Sequence, residues 1–384
     1  MTLADEAVER FVLGLHGELL REGAEYEEAR RVWNGMVDHK PLMIVRCRDT
    51  KDVVQAVNFA RDHGIRLSVR AGGHGVAGNA ICEGGLVIDL SSMNAVRVDP
   101  EGRVAIAEGG ATWRDLDQAT QAYGLATTGG VVSETGIAGL TLGGGFGILM
   151  RKHGLACDNL LEVEIVTADG RISRASTDEN PGLFWAIRGG GGNFGVVTSF
   201  TYRVHPVGRI LWGPVIHPVD RAGDVLRYYR KFIEGGPDDL QIYAAFLFGP
   251  DGAPVVAMVP AWVGPIEEGL RILRPLREFG PPAADMVQEV AYMDHRALFD
   301  AAYPRGFRNY WKSNMLDALT DEAIEALSRE FAKAPSRTEG TGIGLEALGG
   351  AVARVGADDT AFAHREAAYS VIITASWKDP RRMP

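Results

Sequence analysis

The chain has 384 residues, room for about two or three domains at ~150 residues each. Its 46% hydrophobic and 23% charged residues are the mixture of an ordinary globular protein, and Lys+Arg 40 against Asp+Glu 50 leaves a net charge of −10. No basic face is expected from that balance, which excludes a nucleic-acid partner, and no apolar run reaches the ~18 residues that a membrane helix needs. Asp5, Glu6 and Glu9 near the start are unlike a secretory leader. Cys47, Cys82 and Cys157 are odd in number and lack a CxxC pair, so they read as reduced thiols of a cytoplasmic protein and not as a disulfide framework or a metal site. Glycine is the outlier: 48 of 384 residues against a usual ~7%, clustered between Arg70 and Gly195.

In chain order, the first thirty residues read as one amphipathic helix. Met43–Cys47 reads as a strand, Asp49-Thr50 as the cap of a helix carrying Val53, Val54, Val57 and Phe59, and Ile65–Arg70 as a second strand. The opening is therefore β-α-β. Short strands follow at Leu86–Leu90, Ala95–Val98 and Val104–Ala107. Thr112 with Asp115 predicts a capping box on the helix Trp113–Tyr123. Strands return at Leu161–Thr167 and Val196–Val204 around a short helix near Leu183–Ile187. After His205-Pro206 glycine thins. Strand runs (Gln241–Phe248, Val255–Val263) then alternate with helical ones (Glu267–Arg274, stopped by Pro275, and Asp321–Phe331), predicting a second, α+β domain with an antiparallel sheet.

Three glycine-rich stretches could carry chemistry. Gly190-x-Gly192-x-x-Gly195 is formally a dinucleotide fingerprint, but that motif needs a strand before it and a helix after it. Here a helix precedes and a strand follows, and the next acidic residue is Asp220, so a Rossmann site is disfavoured. Arg70-Ala71-Gly72-Gly73-His74-Gly75-Val76-Ala77-Gly78 follows a strand, and its glycines allow consecutive backbone N–H groups to converge on an anion, with His74 inside the loop. Thr127–Gly139 and Gly143–Gly147 are either a tight turn system packing two subdomains or a backbone wall against a planar ligand. Taken alone, the glycines leave both readings open.

Together these stretches resemble a known family. Arg70–His74, Gly85–Ser91, Gly143–Gly147, Gly154–Asn159 and Leu183–Thr198 occur in the order found in FAD-linked oxidases of the vanillyl-alcohol oxidase and berberine-bridge-enzyme superfamily. The first two hundred residues look most like the bacterial 6-hydroxynicotine oxidase and oligosaccharide oxidase branches. Arg308–Ser313 and Gly349–Arg365 are similar to segments of the same family's second domain.

The resemblance implies an α+β fold: an N-terminal helical segment (1–36), a PCMH-type FAD-binding domain of two subdomains (37–207), and a substrate-binding domain with an antiparallel sheet (208–384). It implies that the loop of Arg70, Gly72, Gly73, His74, Gly75 and Gly78 holds the FAD pyrophosphate, and that His74 is bonded to the flavin 8α-methyl carbon. Gly130, Val132, Thr135, Gly136, Gly139 and Gly143 match the middle cofactor segment, Asp158 and Asn159 a cofactor-side turn, and Gly191, Asn193, Gly195 and Val197 the adenosine end. Many members carry a second flavin linkage from a cysteine where this chain has Val132, so the linkage expected here is single. Cys157 reads as a small buried residue. Tyr310 and Lys312, at alternate positions of one predicted strand, share a face and are candidates for the substrate base or for a core-edge pair.

The activity implied is removal of hydride from a CH–OH or CH–NH group of a small molecule, with electrons passing to dioxygen. The rivals are a flavin dehydrogenase using another acceptor and a flavin-binding remnant. Family members continue past the apolar strand at Ala368–Pro380 with an Asn-Tyr segment that often supplies the base, so the resemblance also implies a missing C-terminal return to the FAD domain.

Overall fold

The computed structural model describes residues 5–334, 337–338 and 340–381, which fall into two compact units. The first comprises the described residues through Gly145, Ala156–His205 and Thr360–Phe362; the second comprises Phe146–Leu155, Pro206–Asp359 and the described residues from Ala363. This differs from the expected division at 36 and 207 in three places. The N-terminal segment belongs to the first unit, and two short segments exchange sides. Hydrogen bonds explain the exchanges. Arg151, 8% exposed, donates to the carbonyls of Gly236 and Leu348 inside the second unit. Phe362 N and Ala361 N donate to Arg188 O and Trp185 O inside the first.

In the first unit the strands Met43–Arg46, Leu86–Asp89 and Leu67–Arg70 are parallel, in that spatial order, and Glu18–Leu20 adds antiparallel to the outer edge. Met43, Ile44, Val45, Leu86, Val87 and Ile88 are fully buried, the signature of parallel strands covered on both faces. The helix Thr50–Asp62 is capped by Asp49, which accepts from Lys51 N and Asp52 N. The single helix expected over the first thirty residues is broken into Asp5–Gly14, the strand Glu18–Leu20 and Gly23–Ala29. Tertiary contacts force the break. The buried Asp52 carboxylate accepts from the N–H groups of His16, Gly17 and Arg48, and a Cβ at Gly17 would lie 2.1 Å from Arg46 O.

A second, wholly antiparallel sheet orders Val96–Asp99, Val104–Glu108, Val196–Arg203, Leu160–Val166 and Ile172–Ser176. Against it packs the helix Trp113–Gln121, which carries the predicted Thr112–Asp115 capping box, with Trp113 fully buried.

The second unit is a nine-stranded antiparallel sheet. Pro254–Trp262, Leu240–Phe248, Gly342–Ala347 and Tyr369–Trp377 are neighbours in that order, and Arg308–Leu316 follows at the edge. Alternation sends Ile242, Ala244, Phe246, Ile343, Leu345 and Val371 to one face. There they share a core with Leu226 and Tyr229 of the helix Ala222–Glu234 and with Ile324 of Asp321–Phe331. Pro275 does not stop its helix, which runs Ile266–Glu278; the proline sits in the last turn, where few backbone bonds remain to be lost. The opposite face carries Gln241, Tyr243, Glu346, Ser370, Thr374 and Ser376. No helix among the described residues is long and apolar enough to cross a membrane.

Candidate functional site

The first unit contains a cleft of about 1250 Å³, larger than the ~300–1,000 Å³ of typical small-ligand sites. Three backbone stretches line it. The first is the loop after the strand Leu67–Arg70. Arg70 is tied back to the fully buried Asp89 carboxylate at 3.0 Å, and positive φ at Gly73 (64°) and Gly78 (76°) curls the chain into a tight turn. The second stretch, around Thr135–Leu142, presses on the first: a Cβ on Gly72 would stand 2.3 Å from Gly136 N. The third is Gly191–Val197, entering the strand Val196–Arg203.

Glycine serves two different ends here. At Gly72 and Gly136 the backbones would collide with any side chain, and at Gly73, Gly78, Gly191 and Gly195 φ is positive. Gly75, Gly139 and Gly192 have neither reason. Their φ lies outside the positive region, and a Cβ on any of them would meet no protein atom within 4 Å, yet all three line the cleft. Space kept free of side chains on three separate segments is the shape needed for a long, partly planar group lying against backbone. The rest of the lining is largely apolar, including Val69, Val76, Leu140, Val166 and Val196. A glycine loop with backbone open to a pyrophosphate, joined to an apolar trough, fits a dinucleotide flavin.

Of the residues expected at the cofactor, Gly72, Gly73, His74, Gly75 and Gly78, then Thr135, Gly136 and Gly139, then Gly191, Asn193, Gly195 and Val197 line this cleft. The others are not in its lining. Arg70 holds Asp89. A Cβ at Gly130 would meet Leu140 at 2.4 Å, Val132 is buried, and Gly143 caps the helix Ile137–Leu142. Asp158 and Asn159 sit in the turn Ala156–Asn159, with Asn159 Oδ1 2.7 Å from His205 Nε2. Cys157 is fully buried beside Asp158. Leu140, Val166 and Ala168 also line the cleft, but in sequence nothing distinguishes them from core residues.

In the second unit Tyr310 and Lys312 do share a face of the strand Arg308–Leu316, with the Lys312 ammonium 5.4 Å above the Tyr310 ring. Tyr310 is 51% exposed, and the pair lies on the face opposite Glu346. Glu346 is the titratable group that sequence reasoning missed. It stands directly across from Tyr243 and from Ser370 on neighbouring strands. Burial pushes its carboxyl up to about 7, against a Ser370 hydrogen bond that favours the charged form. Burial, reinforced by the nearby carboxyl, holds the Tyr243 hydroxyl well above its usual range. The signal available in sequence was a lone acid in the alternation Gly342-Ile343-Gly344-Leu345-Glu346-Ala347, on the side of the two glycines.

Comparison with known proteins identifies the owner of this fold and cleft as an FAD-linked oxidoreductase. Residues 41–176 match the FAD binding domain family. The chain is 33% identical over 376 residues to an FAD-linked oxidoreductase of Dictyostelium discoideum, covering 97% of this chain and 82% of that protein. It is 32% identical over 338 residues to (R)-6-hydroxynicotine oxidase of Paenarthrobacter nicotinovorans, covering 84% and 73%. Among solved structures, 6-hydroxy-D-nicotine oxidase from Arthrobacter nicotinovorans superposes with a TM-score of 0.85 at 28% identity, covering 96% of this chain and 82% of that one. The berberine-bridge-enzyme-like protein 1 of Physcomitrella patens shares the fold, with a TM-score of 0.88 at 23% identity over 97% and 84% of the two chains. The chain belongs to the FAD-linked oxidoreductases, and its cofactor is FAD.

Proposed function

We propose that this protein is an oxidase that acts on a CH–OH or CH–NH group of a small molecule, passes the electrons to dioxygen, and carries its flavin on a single covalent link at His74. The observation that carries the reading is the cleft whose glycines at 75, 139 and 192 answer to neither backbone strain nor packing. FAD supplies the two-electron acceptor chemistry when bound; the protein supplies position and proton handling. The His74 imidazole is a nucleophile at the loop that would hold the pyrophosphate, and Val132 offers no atom for a second attachment.

Kinship with an oxidase, (R)-6-hydroxynicotine oxidase, supports dioxygen as the acceptor.

The test is a spectrum and a substrate panel. Purified protein should stay yellow through acid precipitation, and His74→Ala should release its flavin under the same treatment. A panel of amines, secondary alcohols and sugars should include one that produces peroxide. Colour lost from the wild type removes the covalent link; substrate reduction without oxygen uptake makes the enzyme a dehydrogenase.

A further inference from the structure

In the first unit the 71–78 loop that carries His74 is held by the segment Val32–Val37. Trp33, 1% exposed, stacks its ring on the His74 imidazole with centroids 4.3 Å apart and planes 21° apart. The same residue's N–H donates to Gly73 O at 2.9 Å, fixing the loop one residue before the histidine. Asn34, 2% exposed, donates from Nδ2 to Val76 O at 2.8 Å, fixing it two residues after. Val37 fills the space beside Gly78, where a Cβ would lie 2.6 Å from its side chain. The segment therefore grips the loop at Gly73, Val76 and Gly78, and lays a flat, immobile indole along one face of the imidazole.

We infer that Trp33 is a positioning residue for covalent attachment of the flavin: by stacking on His74 it fixes the plane of the imidazole, so that a ring nitrogen is presented edge-on to the carbon it bonds. This rests on the covalent reading above. In the net reaction a bond forms between an imidazole nitrogen and the 8-methyl carbon. One proton leaves that methyl group and one leaves the imidazole, together with two electrons, and dioxygen takes up both protons and both electrons as hydrogen peroxide. The indole takes no part in that exchange. Its contribution is orientational, and errors of attack geometry alone are enough to slow such a step by about tenfold or more. A Trp that merely filled the core would instead govern how much flavin binds at all.

Two quantities separate these roles: total flavin per protein in the native state, and the fraction that stays with the chain after acid precipitation, followed over time after FAD is added to protein produced under flavin limitation. Trp33→Phe keeps a flat ring over His74 and is expected to attach flavin at nearly the wild-type rate. Trp33→Met keeps volume without a plane; it should bind FAD but attach it about tenfold more slowly or worse. Equal attachment rates in the two variants would overturn the inference. So would a Met variant that loses bound and attached flavin in parallel, or that fails to fold where the Phe variant folds, because Trp33 would then be a core residue only. A wild type that never holds flavin covalently overturns the His74 link first, and this inference with it.

Discussion

Replacing Glu346 by Gln should raise stability at neutral pH, and the structure sets the magnitude. Burial moves the carboxyl from 4.5 up to about 7, so the folded protein holds this proton more tightly than the unfolded chain does. Below pH 4.5 both states are protonated and the group contributes nothing. Between about 4.5 and 7 the unfolded state ionises first, so stability falls as pH rises, and above about 7 the deficit stays constant. At 1.36 kcal/mol per pH unit the plateau is at most ~3.4 kcal/mol, an upper bound because the half-buried side chain keeps some contact with water.

The Gln variant has no such titration. Its melting temperature relative to wild type should therefore rise between pH 5 and pH 8 by up to roughly 5–10 °C, at ~2–4 °C per kcal/mol. Taking the difference between the two pH values cancels any change in packing. Parallel stability curves in the two proteins would refute the burial argument.

Two further substitutions test the cleft. Gly75→Leu should lower flavin content per protein at least ~10-fold, whereas Gly182→Leu, at an equally open glycine away from the cleft, should leave it unchanged; equal flavin content by absorbance would refute the open-glycine argument. Arg70→Ala should act through stability, because it strips one of two counter-ions from the fully buried Asp89 and leaves Arg46 at 3.6 Å; a loss below the ~3–5 kcal/mol of an uncompensated buried charge is expected by denaturant titration, and a variant of wild-type stability that binds FAD poorly would return Arg70 to the cofactor.

Local chemistry was legible in the sequence because it is local. The Asp49 cap, the Thr112–Asp115 capping box, the inverted helix-then-strand order around Gly190–Gly195 and the glycine loop at 72–78 all follow from residues within a few positions of one another. Alternation likewise paired Tyr310 with Lys312, and the family resemblance supplied the cofactor.

The rest depended on partners far away in the chain. Nothing near Gly17 announces that Asp52 will collect three backbone N–H groups and break the first helix, and nothing near His74 announces Trp33. Glu346 reads as one acid among fifty acidic residues until the sheet places Tyr243 on one side and Ser370 on the other. A carboxyl's affinity for its proton is set by how much water its neighbours remove, and a stacked ring's orientation by what closes over it. Both are properties of burial, which only the assembled tertiary structure decides.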